Sequence, residues 1–274
     1  MTVEIIPADH FSTQELTDLY NQTRVDYLVP MPMNADRLNE YIHDYDVDLH
    51  HSCVARHADG QILGLSMLGF RHQTAWITRL GVLPVTRRTG AGSVLMHSML
   101  ANADALGAKE IHLEVIKNNA PAYNLFLKTG FIEKDTYLVM RHAPRPMPMP
   151  LQDEVTWLNF DKALEKLETY PHHLTWINAL ESMRNSPSTE GLHVRLANGS
   201  SGWLIYRNIK FTLRSTLSHL IMHTELGNAE EVGIQLLSHL HTHYPHHDTY
   251  AENIRENDPH LAAFQTLGYF TNFS

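Results

Sequence analysis

Cysteine is nearly absent. A single thiol, Cys53, stands in 274 residues, which excludes an internal disulfide and fits a reducing compartment. It lies in the apolar run Ser52-Cys53-Val54-Ala55, where a thiol reads as a small buried hydrophobe. No stretch approaches the ~18 consecutive apolar residues of a membrane span, and no leader-like segment opens the chain. The expectation is a cytoplasmic protein without a membrane partner. Basic residues are outnumbered, 21 Lys and Arg against 30 Asp and Glu, for a net charge of −9; this argues against a nucleic-acid partner and suits cationic substrates. The glycine loop at 90–92 lacks a following Gly-Lys-Ser/Thr and a third fingerprint glycine, so it is neither a Walker loop nor a dinucleotide turn.

What is present begins with Ile77-Thr-Arg-Leu80-Gly-Val82-Leu-Pro84-Val-Thr-Arg87-Arg88-Thr89-Gly90-Ala91-Gly92. A buried strand stops at Pro84, which has no N–H to donate, and runs into a basic glycine loop. Leu95, Met99 and Ala103 then share one helical face. A glycine loop at a helix N-terminus presents backbone N–H groups to an anion where the helix dipole favours it. Arg87 and Arg88 add full charge. The second signal lies downstream. Ile111, Leu113 and Val115 alternate as in a strand spanning Lys109–Val115, and Asn119 to Phe131 reads as a short helix with Pro121 in its first turn and Gly130 just past its end. A last strand follows from Lys134 to Arg141.

Upstream, Ser12-Thr-Gln-Glu15 is a capping box opening a helix to about residue 24. A second helix is expected over Ala35–His43. Strands are expected near His51–Arg56, Ile62–Phe70 and Ala75–Leu83, the first two joined at Asp59-Gly60. With 43% apolar residues the chain can bury one large core or two ordinary ones. Ala143-Pro144-Arg-Pro146-Met-Pro148-Met-Pro150 is a stiff, extended connector, giving a domain at 1–142, a linker at 143–150 and a domain at 151–274.

Taken together, Leu80-x-Val82-x-Pro84-x-x-Arg87-x-x-Gly90-x-Gly92 and Asn119-x-x-Ala122-x-x-Leu125-Phe126-x-x-x-Gly130-Phe131 resemble the GNAT family of N-acetyltransferases over about residues 1–142. The resemblance implies an α/β (α+β) fold, a mixed, mostly antiparallel twisted sheet flanked by helices. It implies acetyl-CoA as co-substrate, with no metal. Arg87, Arg88, Thr89, Gly90, Ala91, Gly92 and Ser93 would cradle its pyrophosphate. Leu80, Val82 and Asn119 would meet its pantetheine arm. Phe126 stands in the cofactor site where the family usually has its leaving-group tyrosine. Phe has no proton to give, so Tyr123, one helical turn earlier, is the candidate acid; helix packing is its other reading. The strand over Ala75–Leu83 carries no carboxylate, which leaves Glu114 as the candidate base or substrate ligand, against a solvated or ion-paired glutamate and a base-free route through ordered water. The thioester carbonyl would be polarised by main-chain N–H groups where the strand splays near Gly81-Val82. The acceptor, an amine of a small molecule or peptide, is expected at Asp26, Tyr27, Met31 and Met33, near the acidic run Asp36, Glu40, Asp44, Asp46 and Asp48; a solvated acidic face competes with that reading. A non-catalytic acyl-CoA-binding or regulatory protein is the alternative. The oligomeric state has no readable signature.

The region after Pro150 reads as a worn copy. Asn198-Gly199 before Gly202 repeats Asp59-Gly60 before Gly64, 138 positions on, and Asn257 to Tyr269 tracks Asn119 to Phe131 at the same offset. A strand is expected over Leu217–Met222 and a helix over Val232–His241. Opposite Arg87–Gly92 stands Gly227-Asn-Ala-Glu230-Glu231-Val232, two carboxylates and a valine where a phosphate nest needs neither. A degenerate GNAT-like second domain is therefore expected, with two unrelated small domains as the other reading. Histidine is abundant at 20 residues, but His239-x-His241-x-His243 lacks the Glu or Cys of a zinc pattern, and the sequence calls for no metal.

Overall fold

Ser12 and Glu15 close the capping box that their spacing predicts: the Ser12 amide donates to Glu15 Oε2 at 2.8 Å and the Glu15 amide to Ser12 Oγ at 3.3 Å. They start α1 (Thr13–Thr23), and Asn34 caps α2 (Ala35–Asp44) by accepting from the Arg37 amide. The structure is a computed structural model that describes residues 3–29, 31–145, 154–210 and 215–273. They fall into two units, residues 1–133 and 134–274.

The first unit is built on a five-stranded sheet in the order β1 (Val3–Pro7), β2 (Val47–His57), β3 (Ile62–Arg71), β4 (Thr74–Val82), β5 (Glu110–His112). All neighbours are antiparallel except β4 and β5. A parallel neighbour needs a crossover, and α3 (Ala91–Ala105) supplies it. Its Leu95, Met96, Met99 and Ala103 are fully buried against Ala75, Ile77, Leu63 and Cys53, each large apolar side chain contributing about 1.5–3 kcal/mol. Burial pushes the Cys53 thiol up to about 12, which leaves it inert at neutral pH. Tyr20 of α1 and Tyr41 of α2 are buried, and Tyr41 packs on Trp76 of β4 with ring centroids 6.1 Å apart.

Two irregularities shape the end of this sheet. β4 pairs with β5 only where Thr74–Trp76 meet Glu110–His112, and residues 113–116 leave strand geometry although their alternation predicts a strand to Val115. β4 also carries a bulge: Leu65 faces Gly81 and Met67 faces Thr78, so Arg79 and Leu80 together oppose Ser66, with Arg79 left-handed at φ 55°. α4 (Ala120–Lys128) follows, capped by the Asn119 side chain, and Gly130 at φ 96° ends it.

The second unit holds a seven-stranded sheet, β12-β6-β11-β10-β9-β8-β7. Its strands are β6 (Tyr137–His142), β7 (Glu154–Leu158), β8 (Thr189–Arg195), β9 (Ser201–Lys210), β10 (Ser215–Leu226), β11 (Asp248–Arg255) and β12 (Phe270–Phe273), with helices α5 (Phe160–Glu168), α6 (Leu180–Asn185), α7 (Ala229–His243) and α8 (Leu261–Thr266). The order from β9 to α8 repeats that from β3 to α4. β10 and β11 are parallel only at Thr216–Leu217 against Asp248–Thr249. β10 has its own bulge, His219 and Leu220 opposing Tyr206, with His219 at φ 55°. Even the close approach of neighbouring strands recurs: a Cβ on Gly64 would lie 2.2 Å from the Gly81 carbonyl oxygen, and one on Gly202 would lie 2.4 Å from that of His223.

The last strand of the first half departs from the sequence expectation. A domain at 1–142 would keep Lys134–Arg141 in the first sheet. Instead β6 lies between β11 and β12, antiparallel to both, and the units divide after Glu133. Met140 is 1% exposed in the second core, with Leu138 packed against it. Alternation specifies which face of β6 is apolar but not which sheet receives it. The connector expected at 143–150 lies outside the described residues from 146 onward.

Both close approaches are testable. Gly64→Ala and Gly202→Ala each force a methyl into a backbone carbonyl and should destabilise by about 1–3 kcal/mol. Gly92→Ala, whose Cβ would touch Leu125 Cδ2 at 3.4 Å, should cost less. Thermal denaturation showing the reverse ranking contradicts the pairing of β3 with β4 and of β9 with β10.

Candidate active site

The loop after β4 is fixed from within. Thr86 is buried and its hydroxyl donates to the Leu63 carbonyl at 3.0 Å, while Thr89 Oγ1 donates to the Thr86 carbonyl at 2.6 Å. Arg88 at φ 66° and Gly90 at φ 92° turn the chain through two left-handed residues, and α3 starts at Ala91 with no side-chain cap. The Ser93 amide donates back to the Gly90 carbonyl at 3.0 Å, and no side chain caps the amides of Ala91 and Gly92, the kind of terminus that favours an anion. Arg88, Thr89 and Ser93 are exposed around it, Ala91 is buried, and Gly92 lies against Leu125 and Val82. Arg87 is used differently. Its guanidinium grips both carboxylate oxygens of Asp26 at 2.6 and 2.7 Å and reaches the Thr23 carbonyl at 3.3 Å. Asp26 raises the Arg87 pKa, and Arg87 holds the Asp26 carboxyl below its usual range. The pair ties the end of α1 to the loop, so Asp26 and Arg87, read separately as acceptor and cofactor ligands, meet each other.

Leu80 and Val82 pack on the α3 side of β4. Beyond Trp76 the β5 side of β4 has no strand partner among the described residues. Asn119 uses its side-chain oxygen to cap α4, and its amide nitrogen donates to the Tyr27 hydroxyl at 3.4 Å. Phe126 is 8% exposed, edge-on to Phe131 at 6.2 Å, and belongs chiefly to the core. Tyr123 donates its hydroxyl to Glu133 at 3.0 Å, and this bond raises its pKa. Glu114 is exposed in the segment after β5 and acts electrostatically on Tyr41. Met33 is clamped by Asn21 through both backbone groups, at 2.8 and 3.0 Å; Met31 is half-buried. Much of the acidic run has partners of its own, Glu40 on Arg37, Asp46 on Arg71 and Asp48 on the His51 ring.

Sequence reasoning missed the group at the bulge. Strict alternation after Ile77 puts Arg79 on the α3 side; the extra residue instead returns Leu80 and Val82 to that core and turns Arg79 to the other face. There the Arg79 guanidinium carbon lies 4.1 Å from the centre of the Tyr41 ring, and Nη1 donates to the Tyr20 hydroxyl at 3.2 Å. Tyr41 and Thr78 share a 2.6 Å hydrogen bond. Burial raises the Tyr41 pKa; burial lowers that of Arg79, but Tyr41, Tyr20 and Tyr45 carry it above its ordinary value. The signal was readable: the apolar positions 75, 77, 80 and 82 change parity once.

The second unit closes the same two features. Asn228 caps α7 through the Glu231 amide, and Glu230 stands at the second helical position that Gly92 holds in α3. At the bulge, the His219 amide donates to Glu252 Oε2 at 2.7 Å. Burial pushes the Glu252 carboxyl up to about 7. A cleft of about 210 Å³ persists where β10 and β11 part, lined by Ile221, Asn178, Asn253 and Tyr170 among others. In the histidine-rich stretch, His241 bonds Tyr269 at 2.8 Å and stacks on His142 at 4.1 Å. No cluster of three metal-ligating side chains occurs among the described residues, and no helix among them is long and apolar enough to cross a membrane.

Two split mixed sheets with a bulge in each define a tandem GNAT fold. A tandem GNAT protein from the clavulanic acid biosynthesis pathway superposes with a TM-score of 0.67 at 16% identity, covering 99% of this chain and 96% of that one. Residues 14–131 match the acetyltransferase (GNAT) family. An uncharacterized N-acetyltransferase of Mycobacterium tuberculosis is 39% identical over 79 residues, 28% of this chain and 50% of that protein. An N-alpha-acetyltransferase of Sulfurisphaera tokodaii is 40% identical over 67 residues, 24% of this chain and 38% of that protein. The matched stretch thus spans half or less of these relatives.

Glu252 gives a pH test. A carboxyl whose folded pKa lies near 7, above its ordinary 4.5, contributes stability that is full below about 4.5 and lost as pH rises through 7. The melting temperature of the wild type minus that of Glu252→Gln should therefore fall between pH 5 and 8. A difference independent of pH contradicts the buried carboxyl.

Proposed function

We propose that the N-terminal unit transfers an acetyl group from acetyl-CoA to a primary amine of a small molecule or peptide, by direct attack in a ternary complex. The observation that carries this reading is the edge of β4 from Ile77 to Val82, which has no strand partner on the β5 side among the described residues and leads into a helix, α3, without a side-chain cap. Such an edge offers main-chain groups to an extended pantetheine arm, as an added strand would, and the helix terminus offers its amides to the pyrophosphate. Arg88, Thr89, Gly90, Ala91, Gly92 and Ser93 hold the diphosphate, Leu80, Val82 and Asn119 the arm, and Arg87 shapes the loop through Asp26. A bulge amide polarises the thioester carbonyl. The amine attacks that carbon, the C–N bond forms, and the C–S bond breaks as the amine proton leaves. Glu114 accepts that proton, directly or through water, and Tyr123, whose raised pKa keeps its proton bound, donates to the departing thiolate. Tyr27, Met31 and Met33 face the acceptor. In the second unit, Asn228 and Glu252 already occupy the corresponding amides, so it takes no acetyl-CoA in this manner. The lone buried Cys53 suits a reducing cytoplasm.

Buried Phe126 favours one second reading, a domain that binds acyl-CoA without turnover. Acetyl-CoA consumption against a panel of amines separates the two. With any accepted amine, Tyr123→Phe should lower kcat about 10²-fold with KM for acetyl-CoA unchanged, and Glu114→Gln should alter the acid limb of the pH profile. An unchanged kcat removes Tyr123 from the chemistry. Tight CoA binding without transfer to any amine selects the second reading.

A further inference from the structure

The first unit holds two partly buried arginines that have no acid of their own among the described residues. Arg37, Arg56, Arg71 and Arg87 each pair with a carboxylate. Arg79 and Arg24 pair with none among the described residues. Both stand against the same ring: the guanidinium carbons of Arg24 and Arg79 lie 5.0 and 5.2 Å from the centre of Tyr20. Arg24 also lies 4.1 Å over Tyr27, and Arg79 4.1 Å over Tyr41. The Nε atoms of both are buried without a hydrogen-bond partner among the described residues. Ring faces attract a cation but do not neutralise it, and an enclosed charge without a counter-ion is costly to hold. In a chain of net charge −9, these two cations flank one tyrosine.

We propose that Arg79 and Arg24 anchor a carboxylate carried by a substrate of this unit. The guanidinium fork matches the planar carboxylate through paired N–H donors, and the flanking tyrosine rings exclude water from the contact. The position follows from the bulge, which turns Arg79 off the α3 face beside the open edge of β4. Tyr27, on which Arg24 stacks, is hydrogen-bonded to Asn119 at 3.4 Å, placing the second cation beside the arm-binding edge. The inference rests on the transferase reading of this site, in which acyl group and amine meet at the bulge. The carboxylate then comes either from an amino-acid acceptor or from the far end of a dicarboxylic acyl group.

Two kinetic arms distinguish these sources. The first compares α-amino acids with their amides as acceptors from acetyl-CoA. The second compares succinyl-CoA with butyryl-CoA as donors to one neutral amine. The carboxylated member should be favoured at least tenfold in kcat/KM in one arm, which names the source. Arg79→Gln should erase that preference while sparing the neutral member, Arg79→Lys should restore part of it, and Arg24→Gln should weaken it. Calorimetric titration of the full-length protein with the same amino acids, their amides and succinate, with and without CoA, reads the site independently of turnover. Carboxylate binding without transfer supports the anchor and sinks the transferase reading. Equal handling of carboxylated and neutral probes in both arms, no carboxylate binding by calorimetry, or an equal loss for both members in Arg79→Gln overturns the anchor.

Discussion

One surplus residue in β4 sets the geometry of everything near it. Ser66 on β3 faces two residues, Arg79 and Leu80, and the strand cannot keep its alternation across that point. The shift lets Leu80 and Val82 stay in the apolar core beneath α3 and puts Arg79 among the tyrosines of α1 and α2. It coincides with the loss of pairing between β4 and β5, so the backbone polar groups that a flat sheet would consume remain available to a ligand. Gly81 and Gly64 are the packing consequences. A Cβ on Gly81 would lie 2.4 Å from Thr23 Oγ1, so the end of α1 can approach the bent strand only where no side chain intervenes.

The second unit shows that the bend alone is insufficient. β10 carries the same bulge at the same φ of 55°, yet its amide is taken by Glu252 and its following helix is capped by Asn228. A buried donor left unmatched is expensive. A unit without a ligand is therefore expected to satisfy such donors from within, and a unit with one to leave them for the ligand. The difference between the halves lies in side chains, Glu252 on the bulge amide and Asn228 on the helix terminus in the second unit and no side-chain cap at α3 in the first, on backbones that otherwise repeat one another.

Much of this was legible because it is local. The capping box at Ser12, the Gly90 and Gly130 turns and the repeat through Gly64 and Gly202 are each set by a few neighbouring residues, and the fold class follows from their order. What sequence could not deliver was non-local. The apolar face of β6 says nothing of β11 and β12 as its neighbours. The alternation of Ile111, Leu113 and Val115 predicts a full strand, but pairing with β4 ends at His112. Asp26 and Arg87 each carried a plausible separate role until their 2.6 Å contact placed them together. Arg79 escaped because period-two reading assumes an unbroken strand.

The distinction between an open and a closed bulge is tested most directly by counting acetyl-CoA sites. Isothermal titration of the full chain should give one site per molecule. Gly90→Val, which forces a branched side chain onto a φ of 92°, should abolish it with the second unit unaltered. Two equivalent sites, or a single site that survives the substitution at Gly90, would contradict it.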